Sequence, residues 1–237
     1  MNKLFIVFLI SVISLPFSIL HAQEFQFGVK GGINKTSGGQ LRSIQSSAQD
    51  LPAADYSAVG EIGYHGGLWG QVNFGKFFVR PEIVYSALES RFDFPGKASL
   101  YEVKEFSIPV LIGYNVFGPL DLYVGGAYKN IIDATLEGAE PEPGSTEQPQ
   151  IVVQNTPFSA QVGAKVEFGS FGIDVRYDYS LSSAEPQSLD IIRSIYQVNR
   201  ATFEDTRLNQ LIVSLTLKLF DTESKGKRRR GGGNCYF

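Results

Sequence analysis

In eight separate stretches this chain alternates apolar with polar residues, and in each stretch the apolar row carries no charge. The pattern is clearest over residues 64–85. Tyr64, Leu68, Val72 and Phe74 form one apolar row, with Gly66 and Gly70 between them, and Phe77, Val79, Pro81, Ile83 and Tyr85 form the next. The opposite faces hold His65, Gln71 and Asn73, then Arg80, Glu82 and Ser86, and Gly75-Lys76 joins the two runs. A period of two across a short Gly-containing link is a hairpin signal.

The other six runs repeat this hairpin. Phe25, Phe27, Val29, Gly31 and Ile33 face away from Gln26, Lys30 and Asn34, and Phe106 to Val116 at even positions face away from Ser107, Pro109 and Gly113. Leu122, Val124, Gly126 and Tyr128 oppose Asp121, Tyr123 and Lys129, and Phe158 to Phe168 at even positions oppose Gln161, Lys165 and Glu167. Phe171 to Leu181 at odd positions oppose Asp174, Arg176 and Asp178, and Leu211 to Leu219 at odd positions oppose Gln210, Ser214, Thr216 and Lys218. Glu61 and Glu105 complete the polar rows.

The links alternate in length. Gly75-Lys76, Gly118-Pro119 and Gly169-Ser170 are tight, whereas residues 35–57, 89–104, 133–156 and 183–207 read as long loops. In the second of these, Pro95-Gly96 marks a turn; the third is acidic and Pro-rich. In the fourth, Leu189, Ile192 and Tyr196 are spaced for a short helix with Ser188 as its cap. Such an alternation predicts up-and-down antiparallel topology with every long loop at one end.

The aromatics fall at the ends of the rows. Phe74, Phe77, Phe168 and Phe171 lie beside the tight turns, and Tyr64, Tyr85 and Tyr179 toward the long loops. The ten steps from Tyr64 to Phe74, at ~3.3 Å each and a tilt near ~40°, rise roughly 25 Å, the height of an outer-membrane apolar band. Aromatic girdles belong at its two edges. A soluble eight-stranded barrel with its apolar rows inward explains the alternation but neither the two girdles nor the one-ended loops. Its narrow interior would also be overfilled by rows so rich in Phe, Tyr and Leu. The expected fold is therefore an all-β, eight-stranded, antiparallel up-and-down transmembrane barrel with four long extracellular loops and tight periplasmic turns.

The flanking segments agree with export. Residues 1–22 read as a signal peptide: Lys3, an apolar run broken by Pro16, then Leu-His-Ala before Gln23. The barrel is expected over 23–220, with a basic, Gly-rich periplasmic tail over 221–237. Past the leader no segment approaches the ~20 apolar residues of a spanning helix, so a membrane-embedded chain must be a closed barrel. A net charge of −3 offers no field for nucleic acid. Cys235 is the only cysteine, so the barrel holds no internal disulfide.

The runs Phe27-Gly28-Val29-Lys30-Gly31-Gly32-Ile33-Asn34, Tyr64-His65-Gly66-Gly67-Leu68 and Arg80-Pro81-Glu82-Ile83-Val84-Tyr85-Ser86 resemble the small outer-membrane barrels of Bacteroidetes-type bacteria called PorT-like. Phe106 to Tyr114 and Val175 to Tyr179 extend the likeness. It covers nearly the whole mature chain at strand level, but not the loops. The resemblance implies a bacterial outer-membrane barrel and a link to protein secretion through the type IX system. The tail after Phe220 departs from that family's habit of ending at the last strand.

The polar rows hold six cationic and seven anionic side chains. Turned into a narrow barrel, Lys30, Glu61, His65, Arg80, Glu82, Lys165, Glu167, Asp174, Arg176, Asp178 and Lys218 are expected to form an ion-pair network that fills the lumen. A narrow ion channel is one alternative. A lipid-modifying enzyme using His65 with Ser86 or Ser180 is another. No spacing suits a metal, no Gly loop suits a phosphate, and no cofactor is expected. The expected function is non-enzymatic: an accessory or structural component of an envelope complex, in contact with outer-membrane lipid. A protein partner would meet its long loops or its basic tail.

Overall fold

The computed structural model describes residues 24–43, 53–141, 149, 151, 157–181 and 186–222. The expected signal segment and residues 223–237 of the tail lie outside these. Thirteen strands and one helical turn follow in chain order. They are β1 (Glu24–Ser37), β2 (Gln40–Ser43), β3 (Asp55–Ser57), β4 (Val59–Gly60), β5 (Ile62–Phe74), β6 (Phe77–Asp93), β7 (Ala98–Phe117), β8 (Leu120–Leu136), β9 (Phe158–Phe168), β10 (Phe171–Ser180), β11 (Gln187–Asp190), α1 (Arg193–Tyr196), β12 (Arg200–Asp205) and β13 (Asn209–Asp221).

Eight of the strands close a ring in the order β1-β5-β6-β7-β8-β9-β10-β13, each antiparallel to its neighbours, and β13 returns to β1. This is the up-and-down barrel that the alternating link lengths predict. Closure leaves the ring no open edge. Its three tight turns take Gly75, Gly118 and Gly169 at positive φ, where a side chain would strain the backbone.

The apolar rows face outward and the polar rows inward. Ile83, Ile108, Val124, Ile173 and Leu215 are exposed on the outer wall, whereas Arg80, Lys165, Asp174 and Ser214 are wholly buried. The aromatics pair across strands at both ends of the band. Phe77 and Tyr114 are 4.9 Å apart near the tight turns, and Tyr85 and Phe106 are 5.3 Å apart near the long loops. Val110 sits midway along the β7 row, paired with Pro81 and Gly126. Val110→Arg is expected to cost about 2–4 kcal/mol there and the same change at Val116, near the rim, about 0–1. Urea titration of the refolded barrel in lipid checks that gradient.

β6, β7 and β8 run 17, 20 and 17 residues, whereas β9 and β10 run 11 and 10. The three long strands climb beyond the aromatic pair of Tyr85 and Phe106, and there the pattern inverts. The outward row of β6 changes from Ile83 and Tyr85 to Glu89, Arg91 and Asp93. Its inward row changes from Arg80, Glu82 and Ser86 to Leu88 and Phe92. β7 does the same, with Glu102 and Lys104 outward and Tyr101 and Val103 buried. In β8 a bulge at Ile131 to Asp133, opposite Lys104 and Glu105, shifts the phase so that Ala134 and Leu136 turn inward.

Against this wall packs a second sheet, in the order β11-β12-β2-β3, drawn from the first and last long links. Leu41, Phe92, Tyr101, Leu136, Ile191 and Phe203 form the centre of an apolar core between the two. Two expectations change here. The link over 89–104 is a regular extension of β6 and β7 with only Phe94 to Lys97 between them, so Pro95-Gly96 is the turn and the flanks are strand. The helix of the last link is a single turn, α1, whose cap position is Ile192 with no side-chain hydrogen bond. Ser188 lies instead in β11 and shares a 2.9 Å hydrogen bond with Thr202. Pairing of β11 with β12 takes Ser188 and Leu189 from the expected helix and leaves only its second half, from Ile192 to Tyr196.

Candidate functional site

The interior of the ring is the place where chemistry-bearing side chains converge. Residues two apart in a strand share a face, so Arg80 and Glu82 on β6, Lys165 and Glu167 on β9, and Asp174, Arg176 and Asp178 on β10 all enter the lumen together.

At its centre the Glu82 carboxylate takes Lys30 Nζ at 3.1 Å and Arg80 Nε at 3.0 Å. Arg176 binds it through both terminal nitrogens, at 2.9 and 3.0 Å. Such a two-pronged guanidinium–carboxylate pair is both strong and directional. Asp174 accepts from Arg176 at 3.3 Å and from the Tyr123 hydroxyl at 2.7 Å. Three cations thus share two carboxylates. The surplus is met by an aromatic face: the Arg80 guanidinium lies 4.4 Å from the Trp69 ring centroid. All three guanidinium nitrogens of Arg80 lack a hydrogen-bond partner among the described residues, so its contact with Glu82 is an ion pair alone.

Toward the long-loop end, Lys129 joins Asp178 at 2.7 Å and Glu105 at 3.5 Å, and Gln210 donates to Glu105 at 2.8 Å. Ser159 and Gln161 also donate to Asp178. Toward the tight turns, Lys165 reaches Asp121 at 3.2 Å, Glu167 at 2.7 Å and Gln71 at 3.1 Å. Lys218 bridges Glu167 and Asp221 at 3.7 and 3.0 Å. Of the residues expected in the lumen, one is elsewhere. Glu61 precedes β5 and pairs with Arg91 at 2.7 Å, partly exposed on the outward side of the wall. The inversion of β6 above Tyr85 places Arg91, its partner, on that face.

Trp69, Phe78 and Leu111 also point inward, although their residue types suggest a lipid face. The three aromatics at the level of the ion cluster each lie directly opposite a glycine on the next strand: Trp69 faces Gly28, Phe78 faces Gly113, and Tyr123 faces Gly163. A Cβ at any of these glycines would run into the ring. The narrow interior therefore holds three large rings because three neighbours have no side chain. Isolated Gly residues within the strand runs are the only sequence sign of this, and it is readable only once the register is known.

His65, the basis of the enzymatic alternative, shares a 2.8 Å hydrogen bond with Ser214 through Nε2. Its Nδ1 has no partner among the described residues, so no third group orients the ring as a catalytic pair requires. Both residues are buried, Ser214 completely. Ser86 stands opposite His65 in the ladder and is buried as well; Ser180 lies on the far wall, its backbone N–H bound to Asn209.

Above the lumen the apolar core lies across the barrel's long-loop end. A polar clasp sits on its rim, where Lys97 Nζ meets Glu137 at 2.8 Å and lies 5.8 Å from the Tyr196 ring centroid. The shared hydrogen bond raises Lys97 above its ordinary pKa and lowers Glu137 below the usual carboxylate range.

Residues 21–184 match the family model described as outer membrane protein beta-barrel domain. Among solved structures, the chain is similar to the outer membrane protein OprG from Pseudomonas aeruginosa, with 14% identity over 82% of this chain and 95% of that one and a TM-score of 0.47. It is also similar to Ail, the attachment invasion locus protein of Yersinia pestis, solved with the heparin analogue sucrose octasulfate. That match has 12% identity over 82% and 99% of the two chains and a TM-score of 0.43. Neisserial surface protein A matches with 10% identity over 82% and 97%, at a TM-score of 0.39. No curated protein sequence matches. The match of residues 21–184, which takes in seven of the eight strands of a closed ring with apolar rows outside and charges within, makes this chain a member of the outer membrane protein beta-barrel domain family.

Proposed function

We propose that the protein is a non-enzymatic barrel with a closed lumen, and that it serves as an accessory or structural component of an envelope complex through its long-loop cap. The observation that supports this reading is a buried ion cluster in the ring together with an apolar core at its long-loop end. The ion cluster around Glu82 fills the centre of the ring, and the core around Phe92 and Tyr101 covers its long-loop end. In this reading the closely paired buried charges block a water path through the ring, and the apolar layer above them adds a second barrier.

In this reading Tyr64, Tyr85 and Tyr179 mark the outer interface, and Phe74, Phe77, Phe168 and Phe171 the inner one. The tight turns and both ends of the chain face the periplasm. Support comes from the even number of ring strands and from the pairing of Gln26 with Asp221, which brings the two ends together beside the tight turns. The PorT-like resemblance makes a secretion machine the envelope complex of first choice, and it puts the source among Bacteroidetes-type bacteria. A leader over residues 1–22 accounts for export.

Two measurements test the proposal. In a planar bilayer the purified barrel is expected to show no steady open current; a stable conductance would overturn the closed lumen. Gentle-detergent purification from the native outer membrane is expected to bring down a stoichiometric protein partner. Recovery of the barrel alone would overturn the complex.

A further inference from the structure

The links of the second sheet all rise from one side of the ring. β1 runs into β2 and β12 into β13, β3 leads through β4 into β5, and β10 leads into β11. The ring strands that carry these links, β10, β13, β1 and β5, are neighbours. The tall wall of β6, β7 and β8 on the other side sends no link to the sheet. Between β1 and β2, Gly38 and Gly39 take φ of 93° and 97°, a conformation that favours glycine. A Cβ at Gly38 would meet the Arg207 carbonyl at 2.8 Å, so this link lies against the one from β12 to β13. Two short links side by side, one of them a glycine pair, make a hinge.

The β11 edge of the sheet, with α1 behind it, is fastened to the tall wall. The Gly96 N–H, in the turn between β6 and β7, donates to the Tyr196 carbonyl at 3.2 Å. Just past β8, the Gly138 carbonyl accepts from the Ile192 N–H at 2.9 Å, and the Glu140 N–H donates to the Asp190 carbonyl at 2.8 Å. The Tyr196 ring lies over Gly138, where a Cβ would run into it, and 6.1 Å from the Phe94 ring centroid. Lys97 and Glu137 beside it are half exposed, and such pairs add little. The seat of the ring, not the charge pair, is the fastening. We propose that the second sheet is a lid that swings as one body about its links, with Tyr196 on Gly96 and Gly138 as its latch. Opening uncovers Leu41 and Phe203 on the lid and Phe92, Tyr101 and Leu136 on the wall, so the lid governs access to an apolar surface. This goes beyond the closed lumen and does not rest on it, because the ion cluster around Glu82 keeps its partners whichever way the lid stands.

Cys235→Ser leaves the full chain without a thiol, so single cysteines can report opening. Ala201→Cys places one on the inner face of the lid, Ala134→Cys one on the wall beneath it, and Ala127→Cys one in the ring below; all three positions are buried. A buried thiol reacts only when its surroundings open. In the refolded barrel in lipid, a maleimide is expected to label the first two at a common rate and the third far more slowly. Gly138→Ala sets a side chain at positive φ against Tyr196 and is expected to raise both lid rates about tenfold. Tyr196→Ala, made from the lid's side of the same contact, is expected to act likewise. Gly75→Ala, also at positive φ but in a tight turn with open space around it, is expected to change neither rate. Labelling of Ala201→Cys alone would mean that the sheet frays strand by strand, and equal labelling at all three that the barrel opens whole. Either result overturns the lid, as does protection of all three. Lid rates indifferent to Gly138→Ala and Tyr196→Ala would overturn the latch.

Discussion

Replacing Glu82 with Leu is expected to destabilise the barrel by about 3–5 kcal/mol, the cost of stranding buried charges. Glu82 binds Lys30, Arg80 and Arg176, and without it only Asp174 remains to balance three enclosed cations. Urea unfolding in lipid, followed by Trp69 fluorescence, gives the midpoint. The native spectrum is expected to shift too, because Arg80 lies against that ring and loses its carboxylate. Adding Arg176→Met to Glu82→Leu removes one surplus charge and is expected to recover part of the loss. A double-mutant cycle showing strict additivity would mean that the two residues do not act as one cluster.

Phe92→Ala is expected to cost about 3–5 kcal/mol as well, through a cavity in an apolar core. Phe92 is completely buried, with Phe203 at 5.7 Å and Tyr101 at 6.2 Å between ring centroids. The loss should be local. The second sheet touches the barrel through this core, whereas the ring below keeps its own ladder and ion cluster. Amide exchange is thus expected to quicken in β2, β11 and β12 while Trp69 fluorescence and the urea midpoint of the ring stay unchanged. Joint unfolding of cap and ring would show that the two are one cooperative unit.

The ring was legible in the sequence because its signal is local and repeated. Phe77 to Tyr85 or Phe171 to Tyr179 each state a period of two without help from any other part of the chain. The lumen charges followed by elimination, since Arg80, Asp174 and Arg176 had no other face to occupy. The cap was not legible. β2 and β3 are four and three residues long, and β2 finds its partner β12 some 160 positions away, so no window of sequence contains the pair. Above Tyr85 the alternation also continues with its chemistry exchanged, so Glu89, Arg91 and Asp93 read as loop when they are the wet side of a strand. Glu61 was misplaced for the same reason: its partner Arg91 belongs to that inverted region.

The exchange of chemistry along β6 and β7 also makes the wall a ruler. Between the outward Phe77 and the outward Tyr85 the strand tolerates hydrocarbon, and two more outward positions bring Glu89. A thicker bilayer would have to bury Glu89, Arg91 and Lys104, while a thinner one would wet Ile83 and Ile108. Mismatch costs only fractions of a kcal/mol per ångström, but it acts around the whole perimeter and sorts proteins among membranes of different thickness. Bacterial outer membranes are thinner than average. The same inversion that builds the cap therefore matches the apolar wall to a thin membrane.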